Sequence, residues 1–296
     1  MDTITPEKRK ITVGLPVYNG EKFLQNRLDS ILTQTYADFE LIISDNNSID
    51  KTNEICSNYA KKDFRIKYVK QDENIGVEKN FKFVLDQARY DFFVWVGVDD
   101  IWEDTFLEKN IKNILNHDKL VGSVSNVVQY GENLRRTGSD FRKLANKINS
   151  KFSKYGSHPI KGSYNLKIRE CLKKNSGQNI YGIFRTKELK NSCQKIEYNS
   201  ASDLCIILKV LKYGEIGIVK ENLLKCRITG MSGQGKIETA IKKYGKKSII
   251  LPHHTFMKWF ITNFGTILFL KNFDLMFKMN LGGFLAVIYD LIIKKN

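Results

Sequence analysis

The sequence contains no CxxC pair. Its five cysteines (Cys56, Cys171, Cys193, Cys205 and Cys226) are scattered and odd in number. That argues against a disulfide framework or a zinc site and fits a reducing cytosol. The four histidines, His117, His158, His253 and His254, have no zinc-site spacing with cysteine, so a surface role is the default. No stretch reaches the roughly 20 apolar residues of a spanning helix. The opening MDTITPEKRKITVGLPVYNG lacks the apolar run of a secretory signal. There is no internal repeat and no low-complexity linker. These absences exclude a collagen-like, disulfide-rich or multi-span protein. Negative charge is also short, with Asp+Glu 32 against Lys+Arg 48 and a net charge of +16. Such a balance favours polyanionic partners: nucleic acid, an anionic membrane face or phosphate-bearing ligands. What is present suffices for a packed core: 296 residues, 42% hydrophobic and 27% charged.

The first part alternates strand and helix patterns. Ile11–Tyr18 reads as a buried strand, and Glu21–Gln34 follows with Phe23, Leu24, Leu28, Ile31 and Leu32 at helical spacing. Phe39–Ser44 is a second strand, Lys51–Lys61 a helix, Arg65–Val69 a strand and Gly76–Ala88 a helix. Phe92–Gly97 is a fully apolar fourth strand, followed by a helix over Thr105–Leu115. This rhythm implies an α/β fold with a mainly parallel sheet covered on both faces. From Tyr130 to Tyr164 the rhythm breaks into a Lys-, Arg-, Ser- and Gly-rich stretch, expected to be an exposed excursion or a lid. Regular structure returns with Ile180–Phe184, a helix over Ser202–Lys212, and short strands at Glu215–Val219 and Leu223–Arg227. Phe256–Leu270 and Leu281–Ile293 are apolar and flanked by Lys258, Lys271, Lys278, Lys294 and Lys295. Two readings stay open for them: a helical hairpin packed on the sheet domain, or amphipathic helices lying in an anionic membrane face.

Ligands of open parallel sheets bind at the carboxyl ends of the strands. Pro16, Tyr18, Asn19 and Gly20 follow the first such end, and Asp45 with Asn46, Asn47, Ser48 and Asp50 the second. Asp99 and Asp100 follow the fourth. Adjacent carboxylates beside an apolar strand repel unless a cation compensates, and hard cations such as Mg²⁺ and Mn²⁺ prefer oxygen ligands. The alternative is an Asx turn capping the next helix, but Asp104 before Thr105 already suits that cap. Asp50 or Ser48 is better placed than Asp45 to cap the helix after strand two, which leaves Asp45 freer for a ligand. Tyr18 can stack on a planar ring or fill the sheet edge.

Together these residues resemble a family. ITVGLPVYNGEKFLQNRLDSILTQTYADFELIISDNNSIDKT is similar to the start of inverting family 2 glycosyltransferases, which have the GT-A fold. DENIGVEKNFKFVLDQARYDFFVWVGVDDIW resembles that family's second signature, with Asn74-Ile75-Gly76, then Asn80, then the acidic motif. The resemblance is continuous over about the first 115 residues. It implies that Pro16, Tyr18, Asn19, Asp45, Asn74, Gly76 and Asn80 serve the nucleotide-sugar. It puts Asp99 at the metal position of the DxD motif, with Asp100 close to the sugar. The first acidic position of that motif is Gly97 here, so one expected contact is missing.

A weaker resemblance covers SASDLCIILKVLKYGEIGIVKENLLKCRITGMS. It implies Asp203 as catalytic base, where a helix N-cap is the plainer alternative, and Arg227 as a diphosphate contact, where a surface strand residue is the alternative. The His that often follows that Arg in relatives is absent, with Thr229 nearby.

The resemblance therefore implies a cytoplasmic GT-A domain over residues 1–235, with a nucleotide-sugar half to about 128 and an acceptor half from 129. A C-terminal helical region covers 236–296 and contacts the inner membrane face in one reading. The implied activity is metal-dependent, inverting transfer from a nucleoside-diphosphate sugar, a UDP-sugar first among them, to an acceptor hydroxyl. The basic surface and apolar tail add the expectation of a glycan or lipid-linked acceptor in surface polysaccharide or glycoconjugate assembly. Mn²⁺ or Mg²⁺ is the implied cofactor. The alternative is an inactive nucleotide-sugar-binding partner subunit. A nucleotidyltransferase of the same fold needs a Gly-rich phosphate loop after strand one, and PVYNGEKF has a single Gly. The basic residues are spread without a recognised motif, so nucleic acid is not an expected partner.

Overall fold

The structure is a computed structural model that describes residues 10–130, 156–194, 201–227 and 245–293. The expected excursion falls largely outside the described residues, as do Thr229, Lys294, Lys295 and the expected boundary at 235.

Eight strands form one sheet: β1 (Ile11–Val17), β2 (Phe39–Asp45), β3 (Ile66–Lys70), β4 (Phe92–Trp95), β5 (Ile101–Trp102), β6 (Leu120–Tyr130), β7 (Ile183–Arg185) and β8 (Glu215–Arg227). Their order is β3-β2-β1-β4-β7-β6-β8-β5. The first four are parallel, and β6 runs parallel to β8. β7 joins β4 and β6 antiparallel, and β5 pairs antiparallel with the end of β8.

Helices α1 (Glu21–Leu32), α2 (Thr52–Lys62), α3 (Val77–Asp86) and α4 (Phe106–Leu115) occupy the crossovers of the first half. Strand alternation divides their packing between two cores. Ile11, Val13, Leu15, Phe92 and Val94 pack with Leu24, Leu28, Ile31 and Phe106 on one face. Ile42, Phe93 and Trp95 pack with Val84 and Leu85 of α3 on the other. Gly14 makes that second face work: a Cβ there would meet the Phe93 ring at 2.6 Å and Val84 at 2.8 Å.

Two expectations need correction. Asp104 does not cap α4: Gln34, just after α1, accepts the Leu107 N–H at 3.0 Å instead. The two short strands at 215–219 and 223–227 are one strand, β8, whose register against β6 shifts between Ser125↔Val219 and Val127↔Leu224. The polar Lys220–Asn222 segment that looked like a break is an irregularity within the ladder.

The second half adds α5 (Tyr164–Lys174), a 3-10 turn (Ser176–Tyr181), α6 (Thr186–Cys193) and α7 (Ser202–Val210). Three more helices follow β8: α8 (His254–Phe264), α9 (Thr266–Lys271) and α10 (Phe273–Ile293). Phe256, Trp259, Phe260, Phe269, Leu275 and Met276 join the second core. The C-terminal helices thus pack on the sheet domain. No helix among the described residues is long and apolar enough to cross a membrane.

Candidate active site

Parallel register brings the ends of β1 and β2 side by side, with Val17 opposite Asp45. The turns that follow are tied together by side chains. The Asn19 N–H donates to Ser48 Oγ at 2.9 Å, Asn19 Oδ1 accepts the Ile49 N–H at 3.0 Å, and the Gly20 N–H donates to Thr52 Oγ1 at 2.8 Å. Asn19 holds φ 50°, a left-handed conformation that Asn tolerates. Tyr18 is 42% exposed at this edge, so it is not core filling. Pro16 is buried within β1.

Asp45 is not free, contrary to the expectation from capping. Its Oδ1 accepts the Ser48 N–H at 2.8 Å, its Oδ2 accepts the Tyr68 hydroxyl at 3.0 Å, and the residue is fully buried. Burial and the bond to Asp45 both push the Tyr68 phenol up, which keeps it the donor. Asn80 is likewise engaged by the protein. It is buried, accepts from Ser44 Oγ at 2.6 Å and donates to the Ser44 carbonyl at 3.0 Å. Asn74 closes the neighbouring loop: its Oδ1 accepts from Asn46 Nδ2 and from the Gly76 N–H, both at 3.0 Å. Gly76 starts α3 at φ 86°, which favours glycine.

Asp99 and Asp100 lie between β4 and β5, where β5 meets the end of β8. That contact sets Asp100 beside Arg227: its Oδ1 accepts the Arg227 N–H at 3.4 Å. The Arg227 guanidinium lies 4.5 Å over the Phe23 ring, and the Tyr130 hydroxyl donates to the Asp99 carbonyl at 2.7 Å. Gly97 leaves room for the pair. A Cβ there would meet Asp100 Oδ2 at 2.9 Å and Asp99 Oδ1 at 3.4 Å. The carboxylate of Asp100 therefore fills the space of the missing acidic side chain. Burial raises Asp100, the Arg27 charge opposes that, and Asp99 adds to it.

Arg27 was not anticipated from the sequence. It is 1% exposed, on the same face of α1 as Leu24, Leu28 and Ile31. Its guanidinium lies 4.3 Å over the Trp102 ring, and Nη1 donates to the Asp100 carbonyl at 3.2 Å. Nε and Nη2 find no hydrogen-bond partner among the described residues. Burial lowers its pKa to about 10, and Asp100 and Asp99 oppose the shift, so it is a cation fixed behind the acidic pair. An arginine at i+3 between core leucines was the available signal.

Asp203 stands in the first turn of α7. Ala201 takes the cap position, so the plainer N-cap reading does not hold. The residue opens onto a cavity of about 290 Å³ lined by Phe81, Trp95, Ile180, Tyr181 and Ile206. The residue itself is exposed at the mouth of the cavity, and the protein packed around the carboxyl raises its pKa to about 6. Tyr181, also unanticipated, is raised well above its usual value by burial. The charges of Asp203, Asp100 and Asp99 all add to that shift, so Tyr181 stands within electrostatic reach of both acidic groups. The structure thus brings Asp99, Asp100, Arg227 and Asp203 to one region and leaves Asp45 and Asn80 inside the scaffold.

The profile for "Glycosyl transferase family 2" matches residues 12–175, more than half of the chain. The chain belongs to glycosyl transferase family 2. Among curated proteins, glycosyltransferase GlyA of Streptococcus pneumoniae is 35% identical over 123 residues, 42% of this chain and 17% of GlyA. The GalNAc(5)-diNAcBac-PP-undecaprenol beta-1,3-glucosyltransferase of Campylobacter jejuni is 37% identical over 92 residues, 31% of this chain and 30% of that protein. The chain therefore matches less than half the length of these curated relatives. Two solved structures share the fold. TarS of S. aureus with UDP-GlcNAc aligns with TM-score 0.54 and 24% identity over 74% of this chain and 58% of TarS. The mannosyltransferase PcManGT of Pyrobaculum calidifontis, in complex with GDP-Man and Mn²⁺, aligns with TM-score 0.57 and 16% identity over 96% of this chain and 74% of that one. They place the family 2 chain in a GT-A-like fold.

Proposed function

We propose that this family 2 protein transfers a sugar from a nucleoside diphosphate, with inversion, to a hydroxyl of a glycan or lipid-linked acceptor at the cytoplasmic membrane face. The observation that carries the reading is the joint placement of Asp99 and Asp100, Arg227 and the raised carboxyl of Asp203 around Tyr181. An acceptor hydroxyl oxygen bonds to the anomeric carbon from the face opposite the diphosphate. The carbon–oxygen bond to the diphosphate breaks, and its electron pair leaves with the nucleotide. Asp203 takes the hydroxyl proton, a task suited to a carboxyl raised toward neutral pH. Arg227 supplies positive charge toward the leaving diphosphate. Tyr18, exposed at the end of β1, offers a face for the base.

The residues fit a hard divalent cation. Asp99 and Asp100 offer oxygen donors, and their carboxylates crowd the space above Gly97. No group of three or more His, Cys, Asp or Glu that could hold an ion alone exists among the described residues, so Asp99 and Asp100 would hold it together with the donor. When bound, Mn²⁺ or Mg²⁺ supplies Lewis-acid stabilisation of the charge on the leaving group. TarS with UDP-GlcNAc and PcManGT with GDP-Man and Mn²⁺ support a nucleotide-sugar donor, and a UDP-sugar is our first choice. The Campylobacter relative's undecaprenol-linked substrate supports the lipid-linked acceptor and a place in surface glycan assembly.

The test is a panel of UDP-, GDP- and dTDP-sugars scored for binding and hydrolysis, with and without Mn²⁺. We expect one donor to be hydrolysed with Mn²⁺, and Asp99→Asn to slow that about a hundred- to thousandfold, the usual cost of removing a preorganised charge stabiliser. Binding without hydrolysis or transfer under any condition identifies an inactive nucleotide-sugar-binding partner subunit instead.

A further inference from the structure

α10 buries apolar residues on one face and exposes a second apolar stripe, interleaved with Asp274 and Lys278, on the other. Leu275, Met276 and Asn280 turn inward, and the first two join the second core. Phe273 (49% exposed), Phe277 (56%) and Leu281 (39%) turn outward at i, i+4 and i+8. α9 runs into this helix at Asn272 and exposes Ile267 (74%) and Leu270 (64%). A surface helix ordinarily puts mainly polar residues on its outer face, and a run of exposed large apolar side chains there marks an interaction surface. The Phe273 and Phe277 rings lie side by side, 6.5 Å between centroids and tilted by 32°, so the stripe presents rings.

The charge around the stripe is mainly positive. Residues 245–293 carry five lysines and two aspartates. One of the aspartates, Asp274, is neutralised by Arg169 of α5 at 2.9 Å. Beside the stripe lies a groove of about 440 Å³ between α5, α8 and α9. Lys212, Lys271, Asn165, Asn263 and Tyr164 line its polar wall, and Ile267 stands at its apolar end. Neither lysine has an ion-pair partner among the described residues. A groove with two ammonium groups beside an exposed apolar stripe matches an anionic phospholipid, a phosphate joined to acyl chains.

We infer that α9, the first half of α10 and this groove form a docking surface for an anionic bilayer. A headgroup phosphate lies between Lys212 and Lys271, and Ile267, Leu270, Phe273, Phe277 and Leu281 lie in the acyl boundary. The protein lies on the membrane and does not span it. The two readings of the C-terminal helices are then compatible, because one face packs on the domain and the other meets lipid.

Co-sedimentation of the full chain with vesicles of phosphatidylcholine, alone or mixed with phosphatidylglycerol, tests this. We expect partitioning onto the mixed vesicles and little onto phosphatidylcholine alone. Lys212→Glu with Lys271→Glu lowers that partitioning at least about 30-fold, the scale set by each basic residue near an anionic surface. Phe273→Ser with Phe277→Ser lowers it as much through lost apolar burial. All four side chains are exposed, so both variants keep the wild-type circular-dichroism melt. Equal partitioning onto both vesicle types, or none onto either, overturns the inference. So does a dimer in lipid-free solution that Phe273→Ser with Phe277→Ser dissociates, which assigns the stripe to a second copy of this chain. Donor hydrolysis in lipid-free solution is read separately, so failure here leaves the proposed activity standing, and the reverse.

Discussion

The two sides of the cleft are built differently. On the side of β1 and β2, almost every polar side chain is spent on another part of the protein. Asn19, Ser48, Thr52, Asp45, Asn46 and Asn74 knit three turns into one hydrogen-bonded block. On the side of α7, a carboxylate faces a cavity walled by Phe81, Trp95, Ile180 and Ile206. The first arrangement fixes backbone positions before any ligand arrives, which suits a charged, well-defined donor. The second sets an exposed carboxyl against aromatic and aliphatic walls, with Glu78 and Lys82 at the same cavity, and its pKa is raised there. In the proposed reading, preorganisation serves the donor and the raised carboxyl serves the acceptor.

The largest effect should come from breaking the tuned side. Asp203→Asn should lower transfer about a hundred- to ten-thousandfold, the usual contribution of a general base, with donor affinity nearly unchanged. The wild-type kcat/KM should rise with pH through about 6 and then level, and the variant should lose that limb. Stability should move oppositely. A carboxyl raised on folding stabilises the fold when protonated, and that contribution is lost as pH rises through about 6. Asp203→Asn should therefore melt no lower than wild type at pH 8 and compare less favourably at pH 5. A parallel loss of donor binding would count against Asp203 as the base.

A smaller effect should follow from changing the charge behind the acidic pair. Arg27→Met keeps a long apolar stem over Trp102 but removes the buried cation that offsets Asp100 and the donor to its carbonyl, so the variant should also melt lower than wild type. The repulsion between Asp99 and Asp100 is then uncompensated. Mn²⁺ measured without nucleotide should bind roughly tenfold tighter, the size of one carboxylate pKa unit. Unchanged Mn²⁺ affinity would show that Arg27 only packs, and weaker binding would show that it orients the Asp100 backbone.

The α/β rhythm of residues 11–115 was legible because strands of period 2 and helices of period 3.6 alternate there with apolar faces intact. β6 was not, because its interior is polar: Gly122, Ser123 and Ser125 are buried, and Ser123 Oγ is satisfied by Asn110 and Asn113 of α4 at 2.8 and 2.9 Å. No local pattern reports a hydrogen bond made by a later fold. The same limit hid the engagement of Asp45, whose partner Tyr68 lies on the adjacent strand. Tyr181 carried no signal either, since its neighbours Asp99, Asp100 and Asp203 come from two distant segments. The acidic motif and Asp203 were reached through resemblance, and the geometry then supplied the cavity and the raised carboxyl.

The smallest effect tests whether the knitted side holds ligand or only holds itself. Asn80 joins α3 to β2 through both its amide and its carbonyl, each on Ser44, while Gln71 Nε2 donates to the same Ser44 hydroxyl at 3.0 Å. In Asn80→Ala the buried Ser44 carbonyl loses a donor, at a cost of about 1–3 kcal/mol. The melting temperature should fall by a few degrees, measured by calorimetry. If Asn80 acts only within the scaffold, donor KM should stay within about twofold at temperatures where the variant is fully folded. A tenfold rise in KM there would mean that Asn80 reaches the nucleotide when donor binds, and the donor side would no longer be a block finished in advance.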